Sequence, residues 1–168
     1  MSGPLDSMKR KLHGLLARGV VLMTTATTKM QGLQLALLDD ETSDGVEHFE
    51  PYGYTSRPHA GAEAIALHLG GDRAHCIAVV VADRRYRLQG LQDGEVALYT
   101  DEGDSIVLKR GNRIAITTQI LEVNASQSNF SGNISATGDV TAGGISLRGH
   151  VHPENDNGGP TGAPVGGA

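Results

Sequence analysis

Apolar positions change their spacing along the chain, and each change predicts a different kind of structure. Leu5, Met8, Leu12, Leu15 and Leu16 recur at helical intervals, Pro4 suits a first turn and Gly19 a stop. Residues 4–18 are therefore expected to form an amphipathic helix, with Lys9, Arg10, Lys11 and Arg18 on its polar side and an apolar stripe suited to docking. From Gly19 the pattern shortens to runs at Val20–Thr25, Leu33–Leu38, Val46–Tyr54, Ala64–Leu69 and Cys76–Val81. Turn chemistry falls between or after them at Asp39-Asp40, Asp44-Gly45, Gly70-Gly71-Asp72 and Asp93-Gly94. Five short strands at this spacing suit a small closed barrel or sandwich, an OB-like barrel among them.

Beyond Glu95 the runs Val96–Tyr99, Ser105–Lys109, Ile114–Thr117 and Ile120–Val123 read as a meander, turning at Asp101–Asp104 and at Gly111-Asn112. From Asn124 onward the large apolar residues dwindle to Phe130, Ile134, Val140, Ile145, Leu147, Val151 and Val165. A weak repeat runs through this zone, aligning Ile134–Asp139 with Val140–Gly144 and then Ile145–Gly149. Each unit is β-branched apolar, then hydroxyl, then small or apolar, then glycine, which fits one short strand and one tight turn. A single chain so built has one thin line of Ile and Val and cannot cover it. Three chains wound about an axis would cover it on all sides, so the pattern predicts a homotrimeric β-helix, the competing reading being a disordered Gly/Ser/Thr/Asn tail.

Composition sharpens this division. Of 168 residues only 39% are hydrophobic, 23 are glycine, and the aromatics are two Phe and four Tyr, so core material must be used sparingly or shared between chains. A net charge of −5, from 14 basic and 19 acidic residues, argues against a protein held to nucleic acid by phosphate neutralisation. The lone Cys76 sits in the apolar run Cys76–Val81 and reads as a buried, inert thiol. No apolar leader and no run of about 18 apolar residues is present, which points to a chain made soluble in a cytoplasm.

One constellation has metal-ligand spacing, the pair His150 and His152. In an extended strand, residues i and i+2 face the same side, so both imidazoles would point one way. Two ligands bind a metal poorly, but three chains would supply six nitrogens, a set that suits an octahedral first-row ion such as iron, nickel or cobalt better than calcium, magnesium or zinc. The other histidines, His13, His48, His59, His68 and His75, are scattered and read as ordinary surface or core residues. Asp101, Glu102 and Asp104 read as solvated turn charges, whereas Asp139 could face a trimer lumen and attract a cation. No Gly-x-Ser-x-Gly elbow, phosphate-binding glycine loop or Cys–His pairing is evident, so no catalytic residue is assigned.

The segments Pro51–Pro58, Gly61–Ala64, Gly70–Arg73, Tyr86-Arg87 and Gly94–Tyr99, with the closing runs Gly149–His152 and Gly159–Pro164, resemble the baseplate assembly protein V family of contractile-tailed phages, in its branch of Mu-type puncturing spikes. The resemblance spans essentially the whole chain. It implies a mainly β homotrimer: a docking helix at 1–18, an OB-fold collar at 19–98, an intertwined triple-stranded β-helix at 99–149 and a metal-capped apex at 150–168. It also implies one iron per trimer held by His150 and His152 of each chain, with calcium and chloride on the axis in related spikes. The implied partners are the baseplate hub, the tail tube and the host outer membrane, and the implied location is the virion, after assembly in the host cytoplasm. Two other classes stay open at this point. One is an OB-type module for oligosaccharide or single strands, using Phe49, Tyr52 and Tyr54; the other is a small metalloenzyme, which would require a third ligand.

Overall fold

A computed structural model describes residues 15–27, 29–37, 41–153 and 158–162. Chain contacts divide it into two compact units that meet between Leu121 and Glu122.

The first unit begins with a closed barrel of five strands, β1 (Leu16–Thr25), β2 (Gln31–Ala36), β3 (Thr42–His48), β4 (Glu63–His68) and β5 (Cys76–Ala82). Their order is β1-β2-β3-β5-β4, with β1 pairing β4 to close the ring. Every pairing is antiparallel except β3 with β5, which run parallel through Glu47↔Ile77 and His48↔Ala78. This is an OB-like barrel. Its interior explains how so little bulky material suffices: Val21, Leu33, Leu35 and Val46 are fully buried and interleave with Ala62, Ala64, Ala66 and Ala78. Alternating large and small side chains fill a narrow barrel without voids.

β1 is long because it serves two neighbours. Its first half, Leu16–Val20, pairs with Leu67–Glu63 of β4, and its second half with β2. That double duty corrects one expectation: Leu16, Ala17 and Arg18 are strand rather than the last turn of a helix, since barrel closure needs their backbone groups more than the helical spacing of Leu12, Leu15 and Leu16 does. The rest of the expected helix, residues 4–14, lies outside the described residues. Arg18 and Arg84 both pair with Glu63, tying β1 and the segment after β5 to β4.

β3 corrects two more expectations. It starts at Thr42, ahead of the expected run, and the expected turn at Asp44-Gly45 lies inside it as a bulge. Leu33 pairs with Val46 and Leu35 with Ser43, so one extra residue is absorbed, and Gly45 takes the positive φ (65°) that the extra residue needs. The strand then stops at His48 rather than Tyr54. Pro51 offers no donor, Tyr54 N–H closes a turn on Pro51 C=O, and the Glu50 carboxylate collects the Ser56 amide and the Thr55 hydroxyl.

A three-stranded antiparallel sheet completes the first unit: β6 (Val96–Tyr99), β7 (Ser105–Lys109) and β8 (Arg113–Thr117). The expected boundary between residues 98 and 99 falls inside β6. Ile120–Val123, expected as a fourth strand, is not one; no strand of the described residues pairs with β8 on its far side, and Thr118 Oγ1 donates to Ile120 C=O instead.

Among the described residues, the second unit carries one hairpin, β9 (Thr141–Ala142) and β10 (Ile145–Ser146), turned by Gly143-Gly144 with φ of 57° and 84°. The second and third repeat units are thus the two arms of one hairpin, and the first, Ile134–Asp139, holds no regular strand within one chain.

Candidate functional site

His150 and His152 lie in the second unit, past the end of the hairpin. Their ring centroids are 5.1 Å apart and the rings stand edge to face at 88°. The segment is not the extended strand expected from its i, i+2 spacing. Ser146 C=O accepts the His150 amide (3.1 Å) and so pulls the chain into a turn, through Gly149, before the pair. The two rings are brought together, but by a turn rather than by strand alternation.

His150 Nδ1 lies 3.0 Å from Ser146 C=O and 3.1 Å from Leu147 C=O. Carbonyl oxygens only accept, so Nδ1 carries the proton and Nε2 presents its lone pair. A metal-ligating histidine is ordinarily fixed in this way, its second nitrogen donating to a carbonyl or carboxylate. The donor set therefore fits a first-row metal at Nε2. His152 is exposed; its amide donates to Thr161 Oγ1 at 2.9 Å, and its own carbonyl accepts from Thr161 N–H. Among the described residues, no three His, Cys, Asp or Glu side chains of one chain converge as a metal site.

Asp139 is committed to its own hairpin. Its Oδ1 accepts the amides of Val140 (2.9 Å) and Arg148 (3.1 Å). The Ser146 hydroxyl first, and then these amides, hold its carboxyl below the usual carboxylate range. Sequence reading marked Asp139 only as a possible lumen charge and missed Ser146. The available signal was an Asp and a Ser bracketing a Gly-Gly turn, a pattern that closes hairpins through side-chain acceptors.

A second feature belongs to the first unit. Cross-strand partners share a sheet face, and the register pairs Val96 with Leu108, Leu98 with Ile106, Ile106 with Ile116 and Leu108 with Ile114. One face of β6–β8 thus carries six aliphatic side chains, each exposed among the described residues, Ile114 being 65% exposed and Val96 60%. Beside it Ile120 and Leu121 help to line an apolar cleft of about 400 Å³. The opposite face holds the buried Val107.

The barrel end offers less chemistry. A cavity of about 300 Å³ is lined by Lys29, His48, Glu50, Tyr52 and Tyr54, with Tyr52 fully exposed. Both Glu50 oxygens are taken by Thr55 and Ser56, and His48 Nδ1 by Gln31, so its polar groups are occupied in shaping the loop. His48 and His68 are core residues, as expected. His59, a surface residue as expected, has a distant partner: its Nε2 meets Asp101 at 3.2 Å across 42 positions and its ring packs near Tyr86, an arrangement that no local pattern signals. Cys76 is buried, and burial pushes its thiol up.

Comparison with known proteins follows the same division. The profile of the family described as "Bacteriophage Mu Gp45, N-terminal" matches residues 18–85, the barrel and the segment just after it. The chain is 37% identical over 184 aligned residues to "Baseplate puncturing device gp45" of Escherichia phage Mu, covering 94% of this chain and 92% of that protein. It is also 37% identical over 166 residues to "Mu-like prophage FluMu protein gp45" of Haemophilus influenzae, covering 88% of this chain and 91% of that one.

Proposed function

The chain belongs to the family of Mu-type baseplate puncturing spikes, and from that premise we propose that three copies form the puncturing tip of a contractile phage tail. The family is structural, and the chain is not an enzyme.

The observation that carries the trimer is the uncovered face of β6–β8. Six aliphatic side chains on one face are more than a solvated sheet tolerates, and each contributes roughly 1.5–3 kcal/mol when taken out of water. Three copies packing these faces inward about a common axis supply one another's cover. The second unit continues the logic: Val123, Phe130, Ile134, Ile145 and Leu147 are each more than 60% exposed in a single chain, and winding three chains into a triple-stranded β-helix removes them from water together.

At the apex, His150 and His152 of each chain hold one iron, six imidazoles in all, with the Nδ1–H of His150 anchored on backbone carbonyls. Bound there, the metal supplies a tie between three chain ends whose free energy is coupled to their folding. Calcium and chloride on the axis complete the set that the family implies. In this reading residues 1–18 and the barrel, 19–98, form the collar that docks on the baseplate hub below the tail tube; 99–149 form the stalk and 150–168 the tip. Sheath contraction supplies the work. The protein supplies a narrow rod without free sheet edges, driven through the host outer membrane as part of the virion tail.

Native mass spectrometry of the full-length chain beside its His150→Ala, His152→Ala double variant tests this. The expected wild-type species is a trimer with one iron, and the variant should be an iron-free trimer. A metal-free monomer would reject the spike and return the chain to the class of OB-type binding modules.

A further inference from the structure

We propose that Asp139 is the positioning residue for His150, folding the terminal hairpin of each chain into a cradle that sets the imidazole before any metal arrives. The proposal rests on reading His150 as an iron ligand.

The hydrogen bonds form one connected path. Asp139 gathers the amides of Val140 and Arg148 on Oδ1. The two arms are thereby clamped next to the bond from Leu147 N–H to Val140 C=O (2.8 Å). Ser146 passes the order onward. Its hydroxyl accepts from Gly149 N–H at 2.9 Å, while its carbonyl accepts both the His150 amide and His150 Nδ1–H. Leu147 C=O, in the same peptide unit as the Arg148 N–H that Asp139 holds, is the second carbonyl that meets Nδ1. Asp139 therefore grips one of the two peptide units that fix the imidazole and, by joining Val140 to Arg148, closes the loop that carries the other. The turn leaves little slack at Gly149, where an added Cβ would stand 3.3 Å from Ser146 Oγ.

The carboxylate suits this task because an anion with two oxygens accepts several donors at once, each bond stronger than its neutral counterpart. The hairpin itself has only two residues in each arm and no buried apolar side chain, so its short ladder needs further support. With two amides of its own chain on Oδ1, Asp139 acts inside one protomer.

The test uses the full-length, iron-loaded trimer and measures iron release to a strong chelator, with trimer mass followed alongside. Asp139→Ala should remain trimeric and release iron at least about tenfold faster than wild type, the usual effect of losing an outer-shell partner of a ligand histidine. Asp139→Asn keeps an Oδ1 acceptor and should return the rate most of the way to wild type, a rescue that general loosening of the tip would not produce. Equal release from Asp139→Ala and wild type would overturn the positioning role while leaving the iron site standing. A wild-type trimer that takes up no iron would remove the ligand reading itself, and the proposal with it.

Discussion

The barrel and the second unit obey opposite rules of burial. Along β4 the inward positions Ala64, Ala66 and His68 are buried and alternate with half-covered neighbours, and the barrel closes on itself through β1 and β4. Past Glu122, the large apolar side chains from Val123 to Val151 are all exposed in a single chain, and the only ladder among the described residues is a hairpin with two residues in each arm. The difference teaches where the folding information for each part resides. The barrel is specified by one chain, whereas in the proposed trimer the rest is specified by a surface that further copies complete. The sheet β6–β8 carries both rules at once, with Val107 buried on one face and six aliphatics open on the other.

The largest effect should come from attacking the shared rule alone. Ile106 and Ile116 are cross-strand partners at the middle of the open face, so the Ile106→Asp, Ile116→Asp variant would place six carboxylates inside a three-chain interface. Sedimentation should show complete loss of the trimer at micromolar concentration, while the barrel keeps its own cooperative melt. A variant that stays trimeric would mean that this face does not form the interface.

A truncation matched between the two regions sharpens the comparison. Leu35 is fully buried in the barrel, and Leu35→Ala should cost about 2–5 kcal/mol in denaturant unfolding. Leu147→Ala, made in the dissociated chain of the previous variant, should stay within about 0.5 kcal/mol because Leu147 is 62% exposed there. In the assembled trimer the same change should become destabilising. Equal costs in monomer and trimer would show that the second unit is not completed by association.

How much of this was readable in the sequence follows the same line. The barrel strands announce themselves because each is amphipathic against a core in its own chain; Cys76–Val81 and Ala64–Leu69 were placed within one residue at either end, and Val96–Tyr99 and Ser105–Lys109 without shift. Errors came where a distant backbone partner overrode local pattern. Leu16–Arg18 look helical until β4 claims them, and Asp44-Gly45 look like a turn until Leu33 and Leu35 require a bulge. At the site, His150 and His152 were visible as a pair, but their support was not. Asp139 reaches Arg148 across nine positions through side-chain acceptors, which leave no hydrophobic period to read. His59 with Asp101 was invisible for the same reason.

The smallest expected effect lies at the barrel's own loop and asks whether the single-chain rule extends to its polar parts. Burial acts to raise the Glu50 carboxyl, but the Ser56 amide, the Thr55 hydroxyl, the nearby His48 and the Ser56 hydroxyl outweigh it, and the net result lies below the usual carboxylate value. A carboxyl depressed in the folded state stabilises it fully above its unfolded pKa, and that contribution is lost as pH falls through the folded pKa. Glu50→Gln should therefore lower barrel stability by about 1 kcal/mol at neutral pH and make its acid limb less steep than that of wild type. Amide exchange at Ser56 should rise in the variant, since the Glu50 carboxylate is its acceptor, while Gln31 still holds Ser56 C=O at 2.8 Å. Parallel acid limbs would place the loop's order in Pro51, Pro58 and the Thr24 bond to Pro58 C=O rather than in the charge.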